Sequence, residues 1–206
     1  MHSLDVDSKQ NKFQMKQLIF ATHNAHKAQE VKAIIGDNFE IKNLSEINMF
    51  EEIPETGETF KENAKQKVEF LYNKLNCNCF ADDSGLSVDA LDGAPGVYSA
   101  RYAGEPCDMQ KNIEKLLYNL KNKNNRKAQF TTVIAVILDG ELHFFEGIIR
   151  GEIIDTPRGD GGFGYDPLFI PDGYDKTFAE LPSEVKNKIS HRAIAMQKFK
   201  EFINNL

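Results

Sequence analysis

No stretch of this 206-residue chain approaches the roughly 18 consecutive apolar residues of a membrane span, so no membrane partner is expected. Residues 1–14, MHSLDVDSKQNKFQ, lack the apolar segment of a secretory signal. They read as a flexible extension, with Met15 as an alternative start. Cysteine is scarce: Cys77, Cys79 and Cys107 are the only three. Their number is odd, and C-x-C plus one distant residue fits no common zinc pattern. Thiols without a role, in a reduced cytoplasmic protein, are the expectation. Positive charge is in deficit, 25 Lys and Arg against 31 Asp and Glu, a net charge of −6. That argues against a surface that coats nucleic acid. A small polyanion is not excluded, since a local cluster of cations or a bound metal suffices to hold one. Internal repeats and low-complexity tracts are also absent.

What remains is an ordinary globular composition, 41% hydrophobic, ample for one core. Residues 1–15 are assigned to the extension and 16–206 to a single domain. QLIFA at 17–21 reads as a buried strand. After a polar loop, Val31, Ile34 and Ile35 at helical spacing predict a helix stopped by Gly36. Thr59 and Glu62 form a capping box for a helix from Phe60 to about Leu75, with Ala64, Val68, Leu71 and Leu75 on its inner face. Cys79–Asp82 and Leu86–Ala90 read as two elements separated by a turn. Asp108 is the expected cap of a helix through Asn119. Asp139-Gly140 between two β-rich runs predicts a hairpin. Ser183 is assigned as the cap of a short turn. Ser190 caps a last helix with Ala195, Phe199, Phe202 and Leu206 as its core stripe. The mixture predicts an α/β chain with a large antiparallel part.

The chemistry lies in polar residues at the ends of apolar elements. In FADDSG, Asp82 and Asp83 stand side by side, where each carboxylate should raise the other's pKa. An Asx turn accounts for one of them. Mg²⁺ with a general base accounts for both, since magnesium takes carboxylates, water and substrate phosphate. Glu55, before a Thr-Gly turn, could add a second metal carboxylate or be a plain surface residue. In THNAHK the helix start offers an anion site. Thr22 and Asn24 can donate there, and Lys27 is favourable only if an anion is near. Alternatively, Asn24 simply caps the helix and Lys27 is solvated. In GGFGYDP, Phe163 and Tyr165 are either plugs on the core or platforms for a base. In KNKISHRAIA, His191 and Arg192 oppose the helix dipole, so they either face an acceptor or project into water, with Lys186 a turn earlier.

Together the strings ATHNAHK, ETGETFKENAKQK, ADDSGLSVDALDGAPGVYSARYAG, GGFGYDPLF and ISHRAIA resemble the inosine/xanthosine triphosphate pyrophosphatases. The similarity runs from about Leu18 to the C-terminal helix. One departure is His23, where that family commonly has Gly or Asn. The resemblance implies an elongated, two-lobed α/β fold with a long mixed β-sheet flanked by helices and a central substrate cleft. It implies Mg²⁺-dependent cleavage of ITP, dITP or XTP into monophosphate and pyrophosphate, usually by a homodimer. Asp83 would be the catalytic base and a metal ligand, with Glu55 the second ligand and Asp82 and Lys67 in support. The loop of Thr22, His23, Asn24, Ala25, His26 and Lys27, together with Ser84, would hold phosphates. Phe163, Gly164, Tyr165, Asp166, Lys186, His191 and Arg192 would meet the purine. A pocket that donates to the C6 oxygen leaves adenine's amine facing donors, which disfavours ATP. Two rival readings are a related pyrophosphatase of different base preference and a nucleotide-binding sensor without turnover. The aspartate pair argues against the sensor, because a pure phosphate binder gains little from carboxylates beside the phosphates.

Overall fold

The computed structural model describes residues 16–35 and 39–205. The expectations for the leading segment, for Gly36 and for Leu206 fall outside them. The first apolar run forms β1 (Lys16–Phe20), and the polar loop leads into α1 (Ala25–Ile35). Next come β2 (Phe39–Asn43) and α2 (Phe60–Leu75). The capping box of α2 is complete: the Thr59 hydroxyl accepts from the Glu62 amide, and the Glu62 carboxylate accepts from the Thr59 amide. Ala64, Val68 and Leu71 are buried as expected. Leu75 is 39% exposed, because the helix ends there and the chain turns away at Asn76, whose φ is 48°.

The next strand departs from expectation. The two elements predicted around ADDSG are one ten-residue strand, β3 (Cys79–Val88). Asp83 and Ser84 therefore lie mid-strand and not in a turn. The local preference of Asp-Asp-Ser-Gly for turns is overridden by an unbroken antiparallel ladder against β4 (Lys127–Leu138), from Cys79↔Ile137 to Val88↔Ala128. Between these strands runs α3 (Met109–Leu120), capped by Asp108, which accepts from the Lys111 amide at 3.1 Å. The hairpin to β5 (Glu141–Ile153) turns at Asp139 and Gly140, both at positive φ, as a two-residue connection requires. A short β6 (Phe169–Pro171) follows. Ser183 caps nothing: it is the first residue of α4 (Ser183–Ile189), after Pro182. Ser190 does cap α5 (His191–Asn204), accepting from the Ala193 amide at 3.1 Å.

The six strands form one mixed sheet in the order β2-β1-β3-β4-β5-β6, parallel across β2-β1-β3 and antiparallel thereafter. Leu18, Phe20, Phe80 and Ile134 pack with residues of α1 and α5 in one core cluster. Ile19, Ala81 and Val133 pack with Val68 and Leu71 of α2 in another. A third cluster, including Leu86, Leu116, Phe130 and Phe169, gathers the far half of the long strands with α3. Gly147 of β5 lets α5 settle on the sheet, since a Cβ there would sit 2.0 Å from the His191 carbonyl oxygen.

One feature of the sheet creates a cleft. β1 pairs with β3 only at Ile19↔Cys79 and Phe20↔Phe80, and the chain then leaves for α1. On the same edge β3 next forms a bridge at Ser87, opposite Pro95. Between these points, Asp82, Asp83 and Ser84 have a strand neighbour on one side only.

Candidate active site

Successive side chains of a strand face opposite sides of the sheet. Asp82 therefore turns with Phe80 toward α1 and α5, and Asp83 turns with Ala81 toward α2. This answers the puzzle of adjacent carboxylates: they belong to two different charge networks. Asp82 is 2% exposed. Its Oδ1 accepts from Lys27 Nζ at 3.0 Å, and its Oδ2 from Arg192 Nε and Nη2 at 3.2 and 3.1 Å. Burial alone would raise its pKa, but Lys27 and Arg192 outweigh burial and hold it well below the usual carboxylate range. Asp83 accepts from Lys67 Nζ at 3.1 Å and from Asn63 Nδ2 at 3.2 Å. There burial prevails over Lys67 and raises the pKa. One aspartate is a fixed anion, and its neighbour is the more basic of the two.

Lys67 also donates to Glu55 Oε1 at 2.6 Å, and Arg101 lies 3.5 Å from Glu55 Oε2. Burial would lower the Lys67 pKa, but Asp83 and Glu55 overcome it and raise it, keeping the ammonium charged. Among the described residues no three His, Cys, Asp or Glu side chains converge as a metal cage. Glu55 and Asp83 nevertheless reach one shared nitrogen. Two convergent carboxylates suit Mg²⁺ that completes its shell with water and phosphate oxygens, so the residues fit the expected ion.

At the start of α1, Asn24 does act as a cap: its Oδ1 accepts from the Lys27 amide at 3.1 Å, and Thr22 Oγ1 accepts from the Asn24 amide at 3.1 Å. His23 Nε2 lies 3.4 Å from the Glu51 carbonyl oxygen. Lys27 is not solvated; it reaches inward to Asp82. Lys27→Ala is expected to weaken binding of a non-hydrolysable inosine triphosphate analogue by roughly ten- to a hundred-fold, the worth of one charge-assisted bond. Inosine itself should bind nearly as before. Calorimetric titration of both ligands checks this, and equal losses would place Lys27 away from the phosphates.

The glycine-rich loop is organised by Asp166, whose Oδ2 accepts from the Phe163 amide at 2.8 Å and from Lys186 Nζ at 2.6 Å. Gly162 at φ +70° packs against that carboxylate, where a Cβ would sit 2.1 Å from Oδ2. The two aromatics of the loop have different surroundings. Tyr165 is a core plug, 4% exposed, with its hydroxyl on the Ser99 carbonyl at 2.9 Å. Phe163 faces the cleft, stacked on His26 at 5.5 Å with Lys186 Nζ 4.9 Å from its ring centre.

At α5, His191 stacks on Phe130 at 4.8 Å, and its buried Nδ1 has no partner among the described residues. Burial, reinforced by Arg192 and Lys186, lowers its pKa well below the ordinary value, so the ring is neutral. Arg192 is 1% exposed and faces acceptors rather than water: Asp82, Ser84 at 3.0 Å, and Glu30. Glu30 also takes Lys186 Nζ at 2.7 Å. Sequence reasoning missed Glu30, although it lies three residues after Lys27, on the same face of α1. It also missed Asn63 and Arg101, whose surroundings carry no local signal.

The loops and strand ends described above converge on one cleft of about 380 Å³, which Glu30, Asn63 and Arg101 do not line. Every expected site residue reaches it except Ala25, the exposed first residue of α1. The walls combine buried lysines and an arginine, carboxylates in separate charge networks and a flat ring, a lining suited to an aromatic polyanion in an α/β fold. Comparison with known proteins agrees. The Ham1 family model matches residues 18–202, and the chain belongs to the Ham1 family. A dITP/XTP pyrophosphatase of Porphyromonas gingivalis is 52% identical over 190 residues, covering 92% of this chain and 98% of that protein. One of Bacillus subtilis is 51% identical, with the same coverage. The structure of the Staphylococcus aureus Ham1 protein superposes with a TM-score of 0.84 at 43% identity, covering 92% of this chain and 99% of that one.

Proposed function

We propose that this chain hydrolyses deaminated purine nucleoside triphosphates (ITP, dITP and XTP) to the monophosphate and pyrophosphate, and so clears them from the nucleotide pool. The observation that carries the reading is the division of the aspartate pair, with a basic Asp83 beside Lys67 and a fixed Asp82 holding Lys27 and Arg192. The names of the relatives supply the substrate class. Lys27 and Lys67 bind phosphate oxygens. Asp83 takes the proton of the attacking water as its oxygen bonds to phosphorus and the α–β bridge breaks. General-base help of this kind is worth about 10²–10⁴-fold. Glu55 and Asp83 would hold Mg²⁺, which supplies Lewis-acid stabilisation of the developing charge.

The purine lies on Phe163. Most cations around it already serve carboxylates, and the neutral His191 ring offers a buried nitrogen without a partner among the described residues. As an N–H donor it would match a C6 oxygen and mismatch adenine's amine. The protein would act as a homodimer in the cytoplasm, where its three free thiols stay reduced. No helix among the described residues is long and apolar enough to cross a membrane.

The test is pyrophosphate release from ITP, XTP, GTP and ATP, with Mg²⁺ and with EDTA. The expected result is turnover of ITP and XTP with Mg²⁺, little with GTP or ATP, and none with EDTA. Equal turnover of all four would favour a pyrophosphatase of other base preference. Tight binding without pyrophosphate would make the chain a sensor.

A further inference from the structure

Lys67 stands where the two proposed metal carboxylates converge. Its Nζ is 2.6 Å from Glu55 Oε1 and 3.1 Å from Asp83 Oδ1, and the residue is 6% exposed. Arg101 adds a second positive charge on the other oxygen of Glu55, at 3.5 Å. Two carboxylates are therefore balanced by two cations, and a divalent ion entering the free cleft meets no net negative charge. It would also meet an ammonium at hydrogen-bond distance from both of its ligands. We propose that Lys67 is an exchange residue: it fills the metal's place in the nucleotide-free protein and gives it up only when a triphosphate arrives.

The driving force is a swap of anions. A triphosphate brings several negative oxygens into the cleft, and lysine, a point charge on a flexible four-carbon stem, can move to them. That releases Glu55 and Asp83 together, at the moment when phosphate oxygens are available to complete an octahedral shell. The metal thus enters with the nucleotide, and the free protein holds it only weakly. Lys27 could not serve in this way, because it sits on Asp82 on the opposite side of the sheet. The proposal rests on the assignment of Glu55 and Asp83 made above.

The experiment uses Mn²⁺ as a paramagnetic probe, titrated into the nucleotide-free full chain, with free ion counted by electron paramagnetic resonance. Wild type should bind weakly. Lys67→Met should bind at least about ten-fold more tightly, since a unit charge within contact distance of the ion has been removed. Lys67→Gln, uncharged but still polar and one bond shorter than lysine, should show the same gain and guards against loss of fold, which circular dichroism checks. Adding Glu55→Gln to Lys67→Met should abolish the gain. Equal Mn²⁺ affinity in wild type and both variants would overturn the proposal, as would a gain that survives Glu55→Gln. Failure of the proposed function reads differently: the variants would gain Mn²⁺ affinity while wild type releases no pyrophosphate from any nucleotide.

Discussion

Asp83→Asn is expected to lower kcat/KM for ITP by about three orders of magnitude or more while leaving the protein folded. General-base removal alone is worth roughly 10²–10⁴-fold, and an amide is also a weak ligand for a hard cation. The fold should survive for a structural reason. Asp83 occupies a regular ladder position opposite Val133, and asparagine is nearly isosteric there. Its burial already disfavours the ionised form, so losing the charge relieves desolvation as it weakens the pairing with Lys67. Steady-state kinetics beside a thermal melt decide the matter. Turnover within a few-fold of wild type would remove Asp83 from the chemistry. A large fall in melting temperature would instead make its role structural.

The second large effect is expected at Arg192. With one guanidinium gone, Asp82 and Glu30 lose a partner they share, and Asp82 is 2% exposed. Breaking a buried ion pair from one side costs about 3–5 kcal/mol, because an uncompensated charge stays behind. Arg192→Ala should therefore melt at a markedly lower temperature, and kcat/KM should fall for ITP and ATP by similar factors. Two assays check it: denaturant unfolding for the stability loss, and the ITP/ATP ratio of kcat/KM. A stable variant with a selective loss for ITP would give Arg192 to the base and leave the charge network secondary. The contrast with a sequence-only view is instructive. An arginine at a helix start looks like a free donor, whereas its nitrogens here already serve two carboxylates and a hydroxyl.

Much of the fold was legible because it is written locally. The Thr59–Glu62 box, the Asp108 and Ser190 caps and the Asp139-Gly140 turn each lie within a few residues of what they control. β3 was misread for the opposite reason. What keeps Asp82-Asp83-Ser84-Gly85 extended is β4, about fifty residues downstream. Ser183 was misassigned because Pro182 shifts the helix start by one residue. The expected site residues that share a cleft are those that a motif concentrated in the chain. Lys67 stood out only through the resemblance, since nothing in its helix pattern separates it from the solvated Lys65. Glu30, Asn63 and Arg101 are recruited by partners distant in the chain, and the pairing of Glu30 with Arg192 spans 162 residues.

Because the pleat alone tells Asp82 and Asp83 apart, their duties depend on parity along the strand. A substitution within β3 changes one side chain, but a single-residue insertion or deletion between Phe80 and Asp82 would change parity for everything after it. The carboxylate now facing Lys67 would be presented to Arg192, and an apolar residue would be turned toward solvent or charge. Sequence length in this segment should therefore drift far less than sequence identity. A lineage could exchange almost any neighbouring side chain here more easily than it could gain or lose one codon.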